Sequence, residues 1–206
     1  MPQLDKLLIS KANQSHVPDI LDTITKLSSN EVPTPPNIAN QLIDQLPNKL
    51  WSNPEIKILD PFCKSGVFLR EIAKRLYIGL EETIKDEEER RNHIFQNMLY
   101  GLSITTLSAL MSRRTFYYSK NPGSEFSVVK FSNEVGNIHY ENIDHKFNNS
   151  FTHCDICKVQ SSWVEERKSR PGNLDLHAYQ FIHDATIFTD MKFDVIIGNP
   201  PYQLED

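Results

Sequence analysis

No run in this sequence approaches the roughly 18 consecutive apolar residues that a membrane span needs, and cysteine is scarce. Cys63, Cys154 and Cys157 make an odd count at irregular spacing, which excludes a secreted disulfide scaffold and fits a reducing cytoplasm, the expected location. Glycine contributes only 7 residues, too few for a collagen-like chain. Neither sign of charge dominates: 22 Lys and Arg stand against 27 Asp and Glu, a net charge of −5, so neither a polybasic tail nor a disordered polyanion is present. The opening stretch from Met1 to Gln14 lacks the basic-then-apolar layout of a secretion signal. The acidic balance gives no hint of a nucleic-acid partner, although a sum of charges conceals patches. What the chain does have is 39% hydrophobic residues over 206 positions, enough for the core of one domain with room for an appendage.

The first 30 residues place Leu4, Leu7 and Leu8, then Ile20, Leu21, Ile24 and Leu27, at helical spacing, which predicts two short amphipathic helices. The segment from Val32 to Asn37 holds three prolines and predicts a stiff extended loop, followed by a helix with Ile38, Ala39, Leu42, Ile43 and Leu46 on one face. Ile56 to Leu59 reads as a strand ending at Asp60-Pro61, and Val67 to Leu80 as the helix that follows. The run from Lys85 to Arg91 reads as a solvated helix face or connector, Met98 to Leu102 as a second strand, and Leu107, Leu110 and Met111 as the mark of another helix. Tyr179 to His183 and Phe193 to Gly198 read as strands three and four, the last apolar through its middle as a buried parallel strand is. Strands alternating with helices indicate an α/β doubly wound sheet with a ligand over the strand carboxyl ends. The expected organisation is N-terminal helices and the proline segment over 1–50, the first half of the α/β core over 51–120, a polar Cys/His-containing insert over 121–178, and strands three and four over 179–206.

Asn199-Pro200-Pro201-Tyr202, directly after strand four, is the sharpest chemical signal. A plain proline turn accounts for it structurally. Its chemical reading is more specific: the Asn199 amide oxygen and the Pro200 carbonyl are two acceptors beside an aromatic ring, a set that suits a planar amine.

With this tetrapeptide the chain resembles the amino-group DNA methyltransferases that use S-adenosylmethionine, and within them the N6-adenine branch of bacterial restriction-modification systems. The segment Asp60-Pro61-Phe62-Cys63-Lys64-Ser65-Gly66-Val67-Phe68 is similar to the family's first cofactor motif, Asp-Pro-x-x-Gly-x-Gly-x-Phe, and Val32 to Asn37 to its proline-containing segment. The resemblance implies a Rossmann-like methyltransferase sheet, apparently incomplete at about four strands against seven in the complete family. It implies a cofactor site drawn from Thr34, Pro35, Asp60, Pro61, Phe62, Gly66 and Phe68, with Asp60 accepting from the cofactor ammonium. Asp184 is similar in placement to the residue that contacts the cofactor adenine, although a helix cap or turn explains it equally. It also implies that a flipped adenine stacks on Tyr202 and offers N6 to Asn199 and the Pro200 carbonyl, with Pro201 fixing the turn. Two positions depart from the pattern. Lys64 stands where the family has glycine, and Ser103, the cofactor-site residue at the end of strand two, offers a single hydroxyl where the family has a ribose-binding acid.

Cys63 reads as a small buried residue and not a catalytic thiol. His153-Cys154-Asp155-Ile156-Cys157 is half a zinc knuckle; Cys154 and Cys157 with His145 and His177 would complete a structural zinc site, His139 and His153 being the reserves, while free cysteines or a redox pair are the alternatives. Trp163 and the basic run from Arg167 to Arg170 read as a solvated loop or as a contact to a DNA backbone. The expectation is the catalytic portion of an N6-adenine DNA methyltransferase, with DNA as partner and no membrane, inactive alone and needing a C-terminal complementing subunit. An inactive remnant or non-catalytic subunit of a split enzyme, and a protein glutamine methyltransferase, are the alternatives.

Overall fold

The structure, a computed structural model, describes residues 33–103, 106–140, 145–148, 150–155, 158, 160–162, 188 and 191–200. The two N-terminal helices, the strand at 179–183 and the run at 167–170 lie outside the described residues. Pro35 is extended at φ −60° and ψ 145°, and Pro36 then occupies the first turn of α1 (Pro36–Ile43), where its missing N–H costs nothing. Ala39 and Ile43 are the buried side of α1; Ile38 and Leu42, expected on the same face, are exposed. The helix is docked by polar links, Asn40 donating to Glu71 at 3.4 Å and Arg75 pairing with Asp44 at 2.6 Å.

Four parallel strands follow in the order β3-β2-β1-β4: β1 (Ile58–Asp60), β2 (Leu99–Leu102), β3 (Ile138–His139) and β4 (Val195–Ile196). Between β1 and β2 run α2 (Val67–Gly79), α3 (Glu87–His93) and a π-helical turn at Ile94–Met98; α4 (Thr106–Tyr117) links β2 to β3. Period-two alternation divides the sheet residues. Ile58, Leu99 and Ile138 join a core with Leu69, Ile72, Leu76 and Phe116 from α2 and α4, whereas Leu59, Tyr100 and Leu102 meet Phe188, Met191 and Phe193 on the other face.

Three elements differ from the sequence reading. β3 lies inside 121–178, where a polar insert was expected, and Ile138 is fully buried. Two residues give too short an apolar run to register as a period; the strand is held by α4, whose Arg113 donates to the Ile138 carbonyl at 2.9 and 3.1 Å and whose Tyr117 hydroxyl accepts from Asn137 N–H at 2.8 Å. α4 itself is turned: Leu107 and Leu110 face outward while Ser108, Ala109, Ser112, Arg113 and Phe116 face in. β4 is an edge strand among the described residues, with Ile196 66% exposed, so its apolar middle is not buried on both faces. The acidic run is a helix as expected: Asp86 caps α3 by accepting from Glu89 N–H at 2.8 Å, while Arg90 turns inward over the Tyr77 ring.

Candidate active site

The order of the strands decides where a ligand can enter. Connections from β1 to β2 and from β2 to β3 run one way along the sheet and the return to β4 runs the other, so the crevice between the carboxyl ends of β1 and β4 is the topological switch point. Asp60 closes β1, and Asn199 follows β4 by three residues. The proline segment reaches the same place: Asn199 Nδ2 donates to Thr34 Oγ1 at 3.2 Å across 165 positions of sequence. Three segments singled out separately in the sequence therefore converge at one end of the sheet.

The turn from β1 into α2 is shaped by its own backbone. Cys63 N–H donates to the Leu102 carbonyl at 2.8 Å, fastening the turn to the end of β2. Gly66 takes the left-handed conformation, φ 72°, immediately before α2, and a Cβ there would lie 2.9 Å from the Ser112 carbonyl. This is the position that requires glycine. Lys64 is not among the residues of positive φ, so its departure from the family pattern carries no backbone strain. It is instead a buried cation close to Asp60.

Asp60 is 1% exposed and its Oδ1 accepts from Phe62 N–H at 3.0 Å. Burial pushes the carboxyl up from 3.8 to about 7; the Phe62 N–H, the Lys64 ammonium and a hydrogen bond with Cys63 pull against that rise. Gly198 packs so tightly on it that a Cβ at that position would fall 2.5 Å from Asp60 Oδ1. The carboxyl thus lies between the cofactor-like turn and the start of the Asn-Pro-Pro-Tyr segment. Cys63 is a buried free cysteine whose thiol is pushed well up by burial and by Asp60, which disfavours a thiolate nucleophile.

The other expected positions fall as follows. Ser103 is 2% exposed, and its hydroxyl donates to the Cys63 carbonyl at 3.1 Å and meets the Ser112 hydroxyl at 3.5 Å, so it braces the turn from beneath. Phe68 packs into the core, Pro61 is buried, Phe62 is half-buried and Pro35 is exposed. Pro200 is exposed and Asn199 half-buried. Pro201, Tyr202 and Asp184 lie outside the described residues. So do Cys157 and His177; Cys154 is buried and forms an isolated antiparallel bridge with Phe147, and the His145 ring lies tilted to that of Phe147 with centroids 5.9 Å apart. Among the described residues no three His, Cys, Asp or Glu side chains converge to hold a metal, and the zinc expectation has no support from them.

The sequence reading missed Ser112 and Arg113. The signal was there as Ser108, Ala109 and Ser112 at helical spacing: small residues let α4 approach the Gly66 turn closely. His139, held in reserve as a zinc ligand, instead closes β3, its carbonyl accepting from Ser103 N–H at 2.9 Å and its ring edge-on to Phe188. Burial and the Arg113 cation lower its pKa to about 4, so the imidazole is neutral at physiological pH.

Residues 97–206 match the model of the Eco57I restriction-modification methylase family. A protein of Mycoplasma pneumoniae described as an uncharacterised adenine-specific methylase is 36% identical over 234 aligned residues, which take in 99% of this chain and 53% of that protein. The chain therefore spans about half the length of this curated relative. Because the family model matches residues 97–206, more than half of the sequence, the chain belongs to the Eco57I restriction-modification methylase family.

Proposed function

We propose that this chain provides the cofactor and target-amine sites of an N6-adenine DNA methyltransferase. The observation that carries the reading is the meeting of Asn199, Thr34 and the Asp60 turn at the switch point of the sheet. S-adenosylmethionine, when bound, supplies an electrophilic methyl group on a sulfonium.

The residues present suit that cofactor. The Gly66 turn admits a close approach and opens α2, whose N-terminal N–H groups favour the cofactor carboxylate. The Asp60 carboxyl, held near neutrality by burial, gains from an ammonium placed beside it, since a nearby positive charge restores the ionised form. Ser103 supports the turn from below and is not needed as a ribose ligand in this reading.

On the target side, Asn199 Oδ1 and the Pro200 carbonyl accept the two N–H groups of an adenine N6 amine. Two acceptors orient the amine and keep its nitrogen electron-rich along the line of displacement, so the chain acts by position and electrostatics and needs no covalent nucleophile. Tyr202 supplies the stacking face for a base swung out of the duplex. DNA is the substrate in this reading, and a complementing polypeptide would complete the grip on it.

The test is transfer of labelled methyl from S-adenosylmethionine to DNA, alongside calorimetric titration of the cofactor. Asn199→Ala is expected to cut transfer by about 100-fold or more with cofactor affinity unchanged, because the lost acceptor acts on the reacting nitrogen alone. A folded chain that binds neither S-adenosylmethionine nor its demethylated product would reject the proposal.

A further inference from the structure

We propose that Thr34 is a positioning residue that sets which way the Asn199 amide points; the inference rests on the transferase reading and refines it. A side-chain amide carries one acceptor oxygen and an NH2 group on the same planar carbon, so fixing one end aims the other. Asn199 Nδ2 donates to Thr34 Oγ1 at 3.2 Å. With the NH2 group tied to the hydroxyl, Oδ1 is the end of the amide left to accept from an incoming amine. The opposite orientation would set donor against donor at the reacting nitrogen.

The hydroxyl is a stiff anchor for three reasons. Thr34 lies between Pro33 and Pro35, and a residue before proline is confined to extended backbone. Its side chain is β-branched, which narrows χ1, and the residue is only 9% exposed. The segment also runs straight into α1, which is tied to α2 through Asn40 with Glu71 and Arg75 with Asp44. The same α2 begins at the Gly66 turn, so the Asn199 orientation is referenced to the helix that forms the cofactor cradle. In the sequence the proline segment reads as a cofactor element; its geometry gives Thr34 a second task on the target side.

The test compares Thr34→Val, which keeps the shape and removes the hydroxyl, with Thr34→Ser, which keeps the hydroxyl. In the full chain, the ¹⁵N-labelled NH2 resonances of Asn199, assigned through Asn199→Ala, report the bond without any turnover. Thr34→Val is expected to move these resonances and to raise their solvent exchange roughly tenfold, with Thr34→Ser close to the parent. In the methyl-transfer assay, Thr34→Val is expected to lower kcat by about tenfold or more, and Thr34→Ser to restore it. Unmoved Asn199 resonances in Thr34→Val overturn the inference, as does an equal loss of kcat in both variants accompanied by a fallen Tm. A folded parent chain that binds neither S-adenosylmethionine nor its demethylated product counts against the transferase reading instead, and the resonances then decide the Thr34–Asn199 bond by themselves.

Discussion

Asp60 carries a cost that a purely structural residue would not. Its carboxyl is buried and its pKa is raised from 3.8 to about 7, so the folded state holds a proton that the unfolded chain releases. The sign follows directly: the contribution to stability is full below about pH 4 and is lost as pH rises through about 7. Asp60→Asn keeps an acceptor for the Phe62 N–H and removes the titration. The variant is expected to gain on the parent as pH climbs from 4 to 8, by a few kcal/mol at the upper end, read from urea unfolding at each pH. Taking the difference between the two proteins cancels the opposite slope from His139, whose lowered pKa makes it lose stability as pH falls from 6.5 towards 4. Equal pH profiles for the two proteins would mean that Asp60 is already ionised and paired. A site that holds a destabilising acid where an ammonium is expected is consistent with stability given up for binding.

At the scale of elements, the instructive case is α4. Its most hydrophobic residues, Leu107 and Leu110, point outward, and its inward side is built from Ser108, Ala109, Ser112 and Arg113 with Phe116 and Tyr117 below them. The reason is proximity: the Gly66 turn comes so near the Ser112 backbone that a bulky side chain at that level of the helix would not fit. Replacing Leu107 or Leu110 by Gln is therefore expected to change stability by about 1 kcal/mol or less, whereas Phe116→Ala should cost about 3–5 kcal/mol. Denaturant midpoints decide between the two assignments, and a large loss at Leu107 would return the helix to the orientation that its apolar residues suggest. The same lesson applies to α1, where Ile38 and Leu42 are exposed although they share a helical period with buried Ala39 and Ile43.

At the scale of the whole molecule, four polar residues among those described share one end of the sheet: Asp60, Ser103, His139 and Asn199 close or follow β1, β2, β3 and β4 in turn. A ligand bound there touches several elements at once, and its binding energy is folding energy. At 100 times its Kd, S-adenosylmethionine is expected to add about 2.7 kcal/mol, visible as a rise in Tm. Asp60→Asn should melt above the parent at pH 8 yet lose most of that ligand-induced rise. An undiminished rise in the variant would remove Asp60 from the cofactor site.

The local geometry was legible in the chain alone. Asp60-Pro61 after a short apolar run, Gly66 before a helical period, and Asn199-Pro200 after another run are each written within about ten residues, the reach over which backbone geometry and period act. The parallel α/β class and the helix over Val67–Gly79 followed from the same signals. What only the tertiary structure decided is everything that depends on long separations. The two-residue β3 exists because Arg113 and Tyr117 hold it, the inward face of α4 is chosen where Gly66 meets Ser112, and Thr34 meets Asn199 across 165 positions. Such contacts leave no period behind them, because their partners are set by how the packed layers fall against one another and not by the spacing of neighbours along the chain.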